Sequence, residues 1–300
     1  IMRYNKKGVF FGISAHTIWG LFPLYWPFLH VASPLEIVSN RAVWSLVFCF
    51  IFLAFGKKLF STLKLLRNWK VVKTLFISAC LISINWIVYI YAVNNGKVVQ
   101  AALGYYINPL VVISIGTIFL KEKLTKLQWW AIGLAAFGAV VLTIDSGSIP
   151  WIAFALAGSW GTYGYVKKQL GLESLVGLAI ETLIALPFYG GYVIYIQNHG
   201  TGHLGVSVKL TLLLIGAGLF TAIPLLLFNG AVIRVPYSIM GIFQYLTPTL
   251  TFIIGVWVKH EAMPTGRWIG FFIIWVALMA LGYDLFKSGS ATDNSLTEVD

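Results

Sequence analysis

Apolar stretches of about twenty residues recur along this chain, and they constrain its fold more than any other feature. A helix needs about 20 apolar residues to cross the hydrocarbon core of a bilayer. Lipid cannot satisfy backbone amides, so only helices or a closed barrel can span it. Because the stretches lack the alternation of barrel strands, we predict an all-α polytopic membrane protein with ten transmembrane helices.

The predicted spans leave little of the chain for a separate soluble domain. They cover residues 8–30, 34–55, 71–94, 98–120, 127–145, 149–168, 174–197, 209–232, 236–257 and 265–286. Only 10% of the residues are charged, whereas soluble domains carry about 25%. The first span is too long for a cleavable signal peptide, and we predict a retained anchor. Residues 287–300 are polar and are predicted to form a disordered cytoplasmic tail.

A net charge of +11 raises the question of a nucleic-acid partner, and the positions of the basic residues answer it. With the N-terminus in the cytoplasm, 16 of the 21 Lys and Arg residues fall in cytoplasmic segments, among them Lys167 and Lys168. Four fall in outer loops, and Arg41 lies within a span. This asymmetry is the positive-inside pattern. We therefore predict cytoplasmic N- and C-termini, a lipid bilayer environment and no nucleic-acid partner.

An internal repeat divides the chain into two halves. Residues 92–145 align without a gap onto 231–284, with identities that include Tyr106/Tyr245 and Pro109/Pro248. In the first and sixth spans, the Trp-Gly pair at 19–20 corresponds to the pair at 160–161. We therefore predict one five-helix repeat over 1–145 and a second over 146–286. Because five is odd, the second copy enters the membrane from the opposite face.

Inverted repeats of this kind are typical of secondary transporters, in which two similar halves give one state open to each side. The pattern therefore predicts a transporter that moves a small organic solute by alternating access, with proton coupling left open. Two alternatives remain. A membrane-embedded binding, sensor or scaffold protein would have the same helices without translocating a solute. An intramembrane enzyme is less favoured, because no catalytic constellation is present.

Two charged residues lie deep within predicted spans, where a charge is costly and indicates function. Arg41 lies in the second span and Glu181 in the seventh, which are equivalent helices of the two repeats, so the two side chains lie at pseudo-symmetric depths. We hypothesise that they pair, or exchange partners, across the repeat interface; the alternative is a local packing role. Glu36 lies nearer its span end and is predicted to be interfacial. Glu122, which is repeated as Glu261, is predicted to cap a helix or form a loop ion pair.

Amides and aromatic rings cluster in spans three, four and nine, and we predict that they line a substrate cavity. With the two charged residues, the predicted substrate-binding set is Arg41, Asn85, Trp86, Tyr89, Tyr106, Asn108, Glu181, Gln244 and Tyr245. Aromatic faces and a few amides would suit a small organic, amphipathic or cationic solute. Interhelical hydrogen bonds and an interfacial aromatic belt are the alternative for each residue.

Glu181 and His16 are the candidates for coupling transport to protons, because both are titratable groups within spans. For His16 a packing role is the alternative. The sequence has no phosphate-binding glycine-rich loop followed by Lys and Ser or Thr, and no cluster with metal-ligand spacing. We therefore expect no ATP drive, no cofactor and no metal.

These residues resemble RarD-type permeases, in the EamA-like branch of the drug/metabolite transporter (DMT) superfamily. The resemblance covers nearly the whole chain. It rests on NRAVWS at 40–45, NW at 85–86, AVNN at 92–95, LGYYINPL at 103–110, ET at 181–182, FQY at 243–245, PT at 248–249 and WVAL at 275–278. The string at 103–110 is the longest and most specific of them.

The resemblance implies a bundle of ten helices in a bacterial inner membrane, built from two inverted EamA repeats. It implies transport of an amino acid, another metabolite or a drug, without naming one. It also implies that Arg41, Asn85, Tyr106, Asn108, Glu181 and Gln244 face the cavity.

Overall fold

The computed structural model describes residues 5–94, 98–144 and 151–258, together with parts of 268–283. Throughout this part of the chain the regular structure is helical, and no strand occurs in it. The helices are α1 (Lys6–Leu21), α2 (Pro34–Phe55), α3 (Leu59–Lys64), α4 (Trp69–Asn94), α5 (Val98–Ile118), α6 (Lys126–Ile144), α7 (Trp151–Leu170), α8 (Ser174–Asn198), α9 (Val208–Val232), α10 (Tyr237–Gln244) and α11 (Leu246–Ile253).

Five segments of the described chain are long and apolar enough to cross a bilayer. They are Pro34–Phe55, Trp69–Tyr89, Ser174–Asn198, Val208–Val232 and Tyr237–Val258. The prediction of an all-α membrane protein is therefore confirmed. The predicted tail at 287–300 and Glu261 lie outside the described residues.

Two predicted spans are interrupted helices, and proline explains both interruptions. In the first, α1 ends at Leu21 and two 3-10 turns follow, each with a proline near its start. In the ninth, α10 ends at Gln244 and α11 begins at Leu246. Proline has no N–H with which to bond the carbonyl four residues earlier. Pro248 therefore leaves the carbonyl of Gln244 without its helical donor, at the point where the helix breaks.

The connection between α2 and α4 contains a short helix that was not predicted. This helix, α3, is followed by a 3-10 turn over Leu65–Arg67. Just before α3, the Lys58 ammonium pairs with Glu173, which precedes α8, at 2.7 Å. Both side chains are about half exposed, so this pair contributes little to stability. It nevertheless shows that the C-terminal end of α2 lies beside the N-terminal end of α8.

The helices pack mainly across the boundary between the two halves of the chain. α1 contacts α9 and α11, α2 contacts α8 and α9, α4 contacts α7 and α8, and α5 contacts α7 and α10. Small residues permit the closest of these approaches: the Tyr237 hydroxyl donates to the carbonyl of Gly161 at 2.6 Å. An added Cβ at Gly164 would lie 2.2 Å from the Tyr237 hydroxyl, whereas a Cβ at Gly158 would meet nothing within 4 Å.

The N-terminus of α10 is capped by Glu122 from the loop between α5 and α6. Its carboxylate accepts hydrogen bonds from the backbone N–H of Tyr237 at 2.6 Å and of Ser238 at 2.8 Å. The Ser238 hydroxyl donates to the same carboxylate at 2.7 Å. A carboxylate here also complements the helix dipole. The predicted capping role of Glu122 is thus observed.

We expect Glu122→Ala to lower the free energy of unfolding by about 2 kcal/mol, because the first backbone N–H groups of α10 lose their acceptor. Denaturant titration of the purified protein in detergent measures this change. Glu173→Ala is the matched control, since it removes an exposed carboxylate, and we expect less than about 0.5 kcal/mol. Equal effects of the two substitutions would contradict the capping role.

Candidate functional site

A narrow cleft lies between α2, α4, α8 and α9, and we call it the central cleft. Its free volume in the described conformation is about 20 Å³, which is room for about one water molecule. Its walls are mostly apolar, with a few polar groups on α4, α8 and α9. The lining residues are Ala42, Ser45, Ala79, Ile82, Ser83, Trp86, Leu178, Glu181, Thr182, Ala185, Tyr189, Thr221 and Leu225.

Arg41 borders the central cleft through two of its lining residues. Its Nε donates to the Thr221 hydroxyl at 2.7 Å, and that hydroxyl donates in turn to the carbonyl of Ala217. The guanidinium lies over the Trp86 ring, 5.3 Å from its centroid, and over the Trp26 ring at 5.0 Å. A guanidinium over aromatic faces is favourable where water is scarce. Its position is therefore set by three side chains from separate segments.

Glu181 lines another part of the cleft, and its partner is Lys167 of α7. Both side chains are almost fully buried, and the Lys167 ammonium contacts Oε2 of Glu181 directly. The Ser78 hydroxyl of α4 donates to the same oxygen at 3.1 Å. Because removing one partner from a buried ion pair leaves an uncompensated charge, such a pair is energetically consequential. It ties α4, α7 and α8 together within the bundle.

A second, smaller cavity lies on the other side of this ion pair, and we call it the side pocket. Its free volume is about 10 Å³, and it is lined by Lys167, Leu170, Leu172, Glu173, Ser174, Gly177, Asn229 and Ile233. Glu181 thus faces the central cleft, and its partner Lys167 faces the side pocket. The ion pair is therefore part of the wall between the two cavities.

The structure places four of the predicted site residues at or beside the central cleft. Trp86 and Glu181 line it, Arg41 borders it, and Tyr89 is within electrostatic range of Arg41. Asn85 faces another helix instead: its Nδ2 donates to the Leu156 carbonyl at 2.9 Å and to the Ser159 hydroxyl at 3.0 Å on α7. This contact matches the packing alternative for that residue.

The other predicted site residues lie around α1, α5, α10 and the segment that follows α10. Tyr106 and Tyr245 belong to the same buried cluster. Among the described residues, the Oδ1 atom of Asn108, both amide atoms of Gln244 and the hydroxyl of Tyr245 are buried without a hydrogen-bond partner. Nδ1 of His16 lies 3.3 Å from the Thr247 hydroxyl, whereas its Nε2 is buried with no partner in the same part of the chain. Burying a polar group without a partner is costly. The atoms in this region can therefore still form hydrogen bonds with another group.

The hypothesis that Arg41 and Glu181 pair with each other does not describe this conformation. Arg41 bonds to Thr221 on α9, and Glu181 bonds to Lys167 on α7. Lys167 was counted among the cytoplasmic basic residues, but its side chain turns into the bundle. Its neighbour Lys168 caps α9, donating to the carbonyls of Val232 and Val235 at 3.0 and 2.8 Å.

Sequence reasoning missed Lys167, Ser78 and Thr221 as members of this region. Hydroxyls in an apolar span are common packing groups and give no signal of their own. For Lys167 a signal exists, because Lys167 and Glu181 lie on consecutive helices joined only by residues 171–173. Opposite charges placed within two turns of such a short connection can reach each other.

Glu36 is also more engaged than an interfacial residue would be. It is buried, and its carboxylate accepts a hydrogen bond from the backbone N–H of His203 at 2.7 Å. Its other oxygen lies 2.8 Å from Nδ1 of the same histidine. The loop between α8 and α9 is thereby held against the first turn of α2.

Comparison with known proteins agrees with this architecture. The EamA-like transporter family matches residues 6–144. The chain is 42% identical over 292 residues to protein RarD of Streptomyces exfoliatus, covering 95% of this chain and 90% of that protein. It is also 42% identical over 296 residues to the transporter YojE of Bacillus subtilis, covering 94% and 96%.

One crystal structure superposes with a TM-score of 0.72 at 14% identity, covering 93% of this chain and 98% of the other. At that identity the likeness shows the fold alone. YojE is named as an uncharacterized transporter, and both sequence relatives are bacterial. Together with the membrane-spanning helices, they show a multi-pass protein of the inner membrane. This chain therefore belongs to the EamA-like transporter family, in the drug/metabolite transporter superfamily, as a RarD-type permease.

Proposed function

We propose that this protein is a secondary transporter that moves a small organic solute across the bacterial inner membrane by alternating access. The observation that carries the proposal is the buried Lys167–Glu181 pair between two cavities. A wall held by one ion pair can open by a rearrangement of two helices. Buried charges are expensive in a membrane and are retained where a transport pathway needs them.

We further propose that residues 1–145 and 146–286 are two inverted five-helix repeats. The helix contacts support this, because they occur in swapped pairs. α1 contacts α9 while its equivalent α7 contacts α4, which is the equivalent of α9. In the same way, α2 contacts α9 and α8 contacts α4. An axis in the membrane plane produces such swapping. The equivalent residues Trp19 and Trp160 meet at 5.2 Å between ring centroids.

The proposed orientation places both termini in the cytoplasm. The ion pair then lies toward the cytoplasmic end of the bundle, near the exposed pair of Lys58 and Glu173. In this orientation the described conformation is closed toward the cytoplasm by Lys167 and Glu181. Access from that side requires the pair to separate or to move together with α7.

The site residues take different roles in this proposal. Arg41, Trp86 and Tyr89 contact the solute, and Glu181 couples its movement to helix rearrangement. His16, Tyr106, Asn108, Gln244 and Tyr245 form a second polar position on the pathway. The atoms of His16, Asn108, Gln244 and Tyr245 that are buried without a partner among the described residues support this role. Asn85 keeps α4 against α7, and so contributes to the pathway through packing.

Solute flux into proteoliposomes tests the transport proposal directly. Solutes that raise the melting temperature of the purified protein would be loaded inside, and uptake of the labelled solute would be followed with and without a pH gradient. We expect counterflow with wild-type protein and a loss of about tenfold or more with Glu181→Gln, because the proposed opening involves this carboxylate. Arg67→Gln, on the exposed turn after α3, is the control and retains full flux.

A solute that stabilises the protein but never crosses the membrane would overturn the transport proposal. That result would favour a membrane-embedded binding or sensor protein. Flux that depends on the pH gradient and is lost with Glu181→Gln would assign proton coupling to this carboxylate. Flux that is indifferent to the gradient would indicate facilitated exchange.

A further inference from the structure

The charge of Arg41 has no carboxylate partner among the residues that the structure describes. Within that part of the chain, its one hydrogen bond runs from Nε to the neutral hydroxyl of Thr221. The carboxylates of α2 and α8, which both pack against α9, have other partners: Glu181 pairs with Lys167, and Glu36 bonds to His203. The central cleft and its border therefore carry one uncompensated positive charge, because Lys167 and Glu181 cancel.

The aromatic faces beside this charge are already occupied. The guanidinium lies over the rings of Trp26 and Trp86, which are the faces that a cationic solute would need. A second cation would also meet the positive charge of Arg41 at short range. The sequence-based expectation of a cationic solute is therefore not favoured by the geometry. The positive charge of Arg41 would attract an anion and repel a cation.

The guanidinium retains the donors that suit a carboxylate. Only Nε is hydrogen-bonded to a described residue, which leaves the N–H groups of both terminal nitrogens. Arginine presents these donors in a planar fork that matches the two oxygens of a carboxylate. Three tyrosines, Tyr89, Tyr105 and Tyr189, lie within electrostatic range of the guanidinium. Their hydroxyls are neutral groups that can donate to an anion.

We propose that the transported solute is an organic carboxylate, a monoanion whose carboxylate binds the guanidinium of Arg41. This inference rests on the proposed transport function and adds the substrate class to it. Binding of one negative charge neutralises the region, which lowers the cost of carrying Arg41 within the membrane. The occupied cleft would then have no net charge as it passes between its two open states.

The walls of the central cleft specify the rest of the solute. Between Arg41 and the ion pair, the lining is mostly alkyl groups, from Ala79, Ile82, Leu178, Ala185 and Leu225. From Glu181 to Tyr189, the cleft follows α8 over about 12 Å, at 1.5 Å per residue. A compact apolar body, such as a phenylalkyl or branched alkyl group, would match this wall. Small highly polar diacids would not.

Three molecules of nearly identical shape test the charge requirement: 3-phenylpropionate, 3-phenylpropanamide and 3-phenylpropylammonium. They present a carboxylate, a neutral amide and a cation on the same body. Thermal unfolding of the purified protein, with tryptophan fluorescence of the cleft as a second readout, measures binding of each. We expect the carboxylate to bind at least about tenfold more tightly than the amide, and the cation to bind most weakly.

Substitutions of Arg41 then connect this preference to the guanidinium. We expect Arg41→Lys to weaken carboxylate binding by about tenfold, since it keeps the charge but loses the planar fork. Arg41→Gln should weaken it by about 100-fold and leave binding of the amide nearly unchanged. Arg67→Gln removes a guanidinium from an exposed turn and should change neither. Binding of the amide shows that each variant has folded.

The outcomes separate this inference from the transport proposal. Tighter binding of the cation, failure of the carboxylate to bind, or a carboxylate preference that survives in Arg41→Gln would each overturn the substrate class. Flux of a solute without a carboxylate would do the same while leaving transport standing. A carboxylate that binds through Arg41 but is not transported would support carboxylate recognition by Arg41 and contradict the transport proposal instead.

Discussion

Glu181→Gln will lower the free energy of unfolding by about 3–5 kcal/mol, because it leaves the ammonium of Lys167 buried without its counter-charge. Both side chains are nearly inaccessible to solvent, so water cannot replace the lost partner. Lys167→Met should have an effect of similar size, because it leaves the carboxylate with only the Ser78 hydroxyl. Denaturant titration of the purified variants in detergent measures both changes.

The double variant Lys167→Met/Glu181→Gln distinguishes a charge effect from a packing effect. Replacing a buried ion pair by neutral groups of similar volume is often nearly neutral in stability. We therefore expect the double variant to recover most of the loss, while its solute flux stays impaired if the pair controls access. Lys58→Gln, which breaks the exposed pair with Glu173, is the control and should cost less than about 1 kcal/mol. Additive losses in the double variant would show that the two charges do not depend on each other.

Gly218→Ala should lower the free energy of unfolding by about 3 kcal/mol, because α9 meets α2 at this glycine without room for a methyl group. An added Cβ would lie 2.3 Å from Cβ of Trp44 and 2.9 Å from the backbone nitrogen of Ser45. Backbone atoms cannot move aside as a flexible side chain can. The two helices would have to separate, and the bond from the Ser45 hydroxyl to the Gly218 carbonyl, now 2.9 Å, would lengthen.

The same substitution should also disturb the central cleft, because Thr221 lies one turn beyond Gly218 on α9 and bonds to Arg41. We expect carboxylate binding to weaken together with stability. Gly158→Ala on α7 is the matched control, since its added methyl meets nothing within 4 Å. There alanine should be neutral or stabilising by up to about 1 kcal/mol through helix propensity. Equal losses in the two variants would contradict the close packing of α2 and α9.

The helix positions were largely predictable, because each helix that crosses a bilayer needs about 20 mainly apolar residues, and such a segment can be read directly from the sequence. The second span was predicted at 34–55 and α2 covers Pro34–Phe55; the eighth was predicted at 209–232 and α9 covers Val208–Val232. The repeated pair of Pro109 and Pro248 favours matched bends in the fourth and ninth spans, but of these two only the ninth is interrupted. Pro109, Pro187 and Pro224 remain inside continuous helices, so a proline alone did not indicate which span would break.

The sequence identified the two charged residues within the spans, but it did not identify their contacts. Hydropathy singled out Arg41 and Glu181 because a charge is conspicuous in an apolar span. It could not supply their partners, since these come from helices far away in the chain: Thr221 is 180 residues from Arg41. Lys167 was assigned to a cytoplasmic end because positive charge near a span end normally serves orientation.

The sequence by itself determined that this chain lies in a membrane as a helical bundle, and it singled out the charged residues within that bundle. Those properties depend on the cost of exposing polar groups to lipid. That cost is set by the composition of each segment and not by its neighbours in the fold. Only the tertiary structure decided that Glu181 pairs with Lys167, and that Arg41 lies between two tryptophans with donors to spare. Such contacts depend on how helices rotate and cross, and that is decided by packing among distant segments.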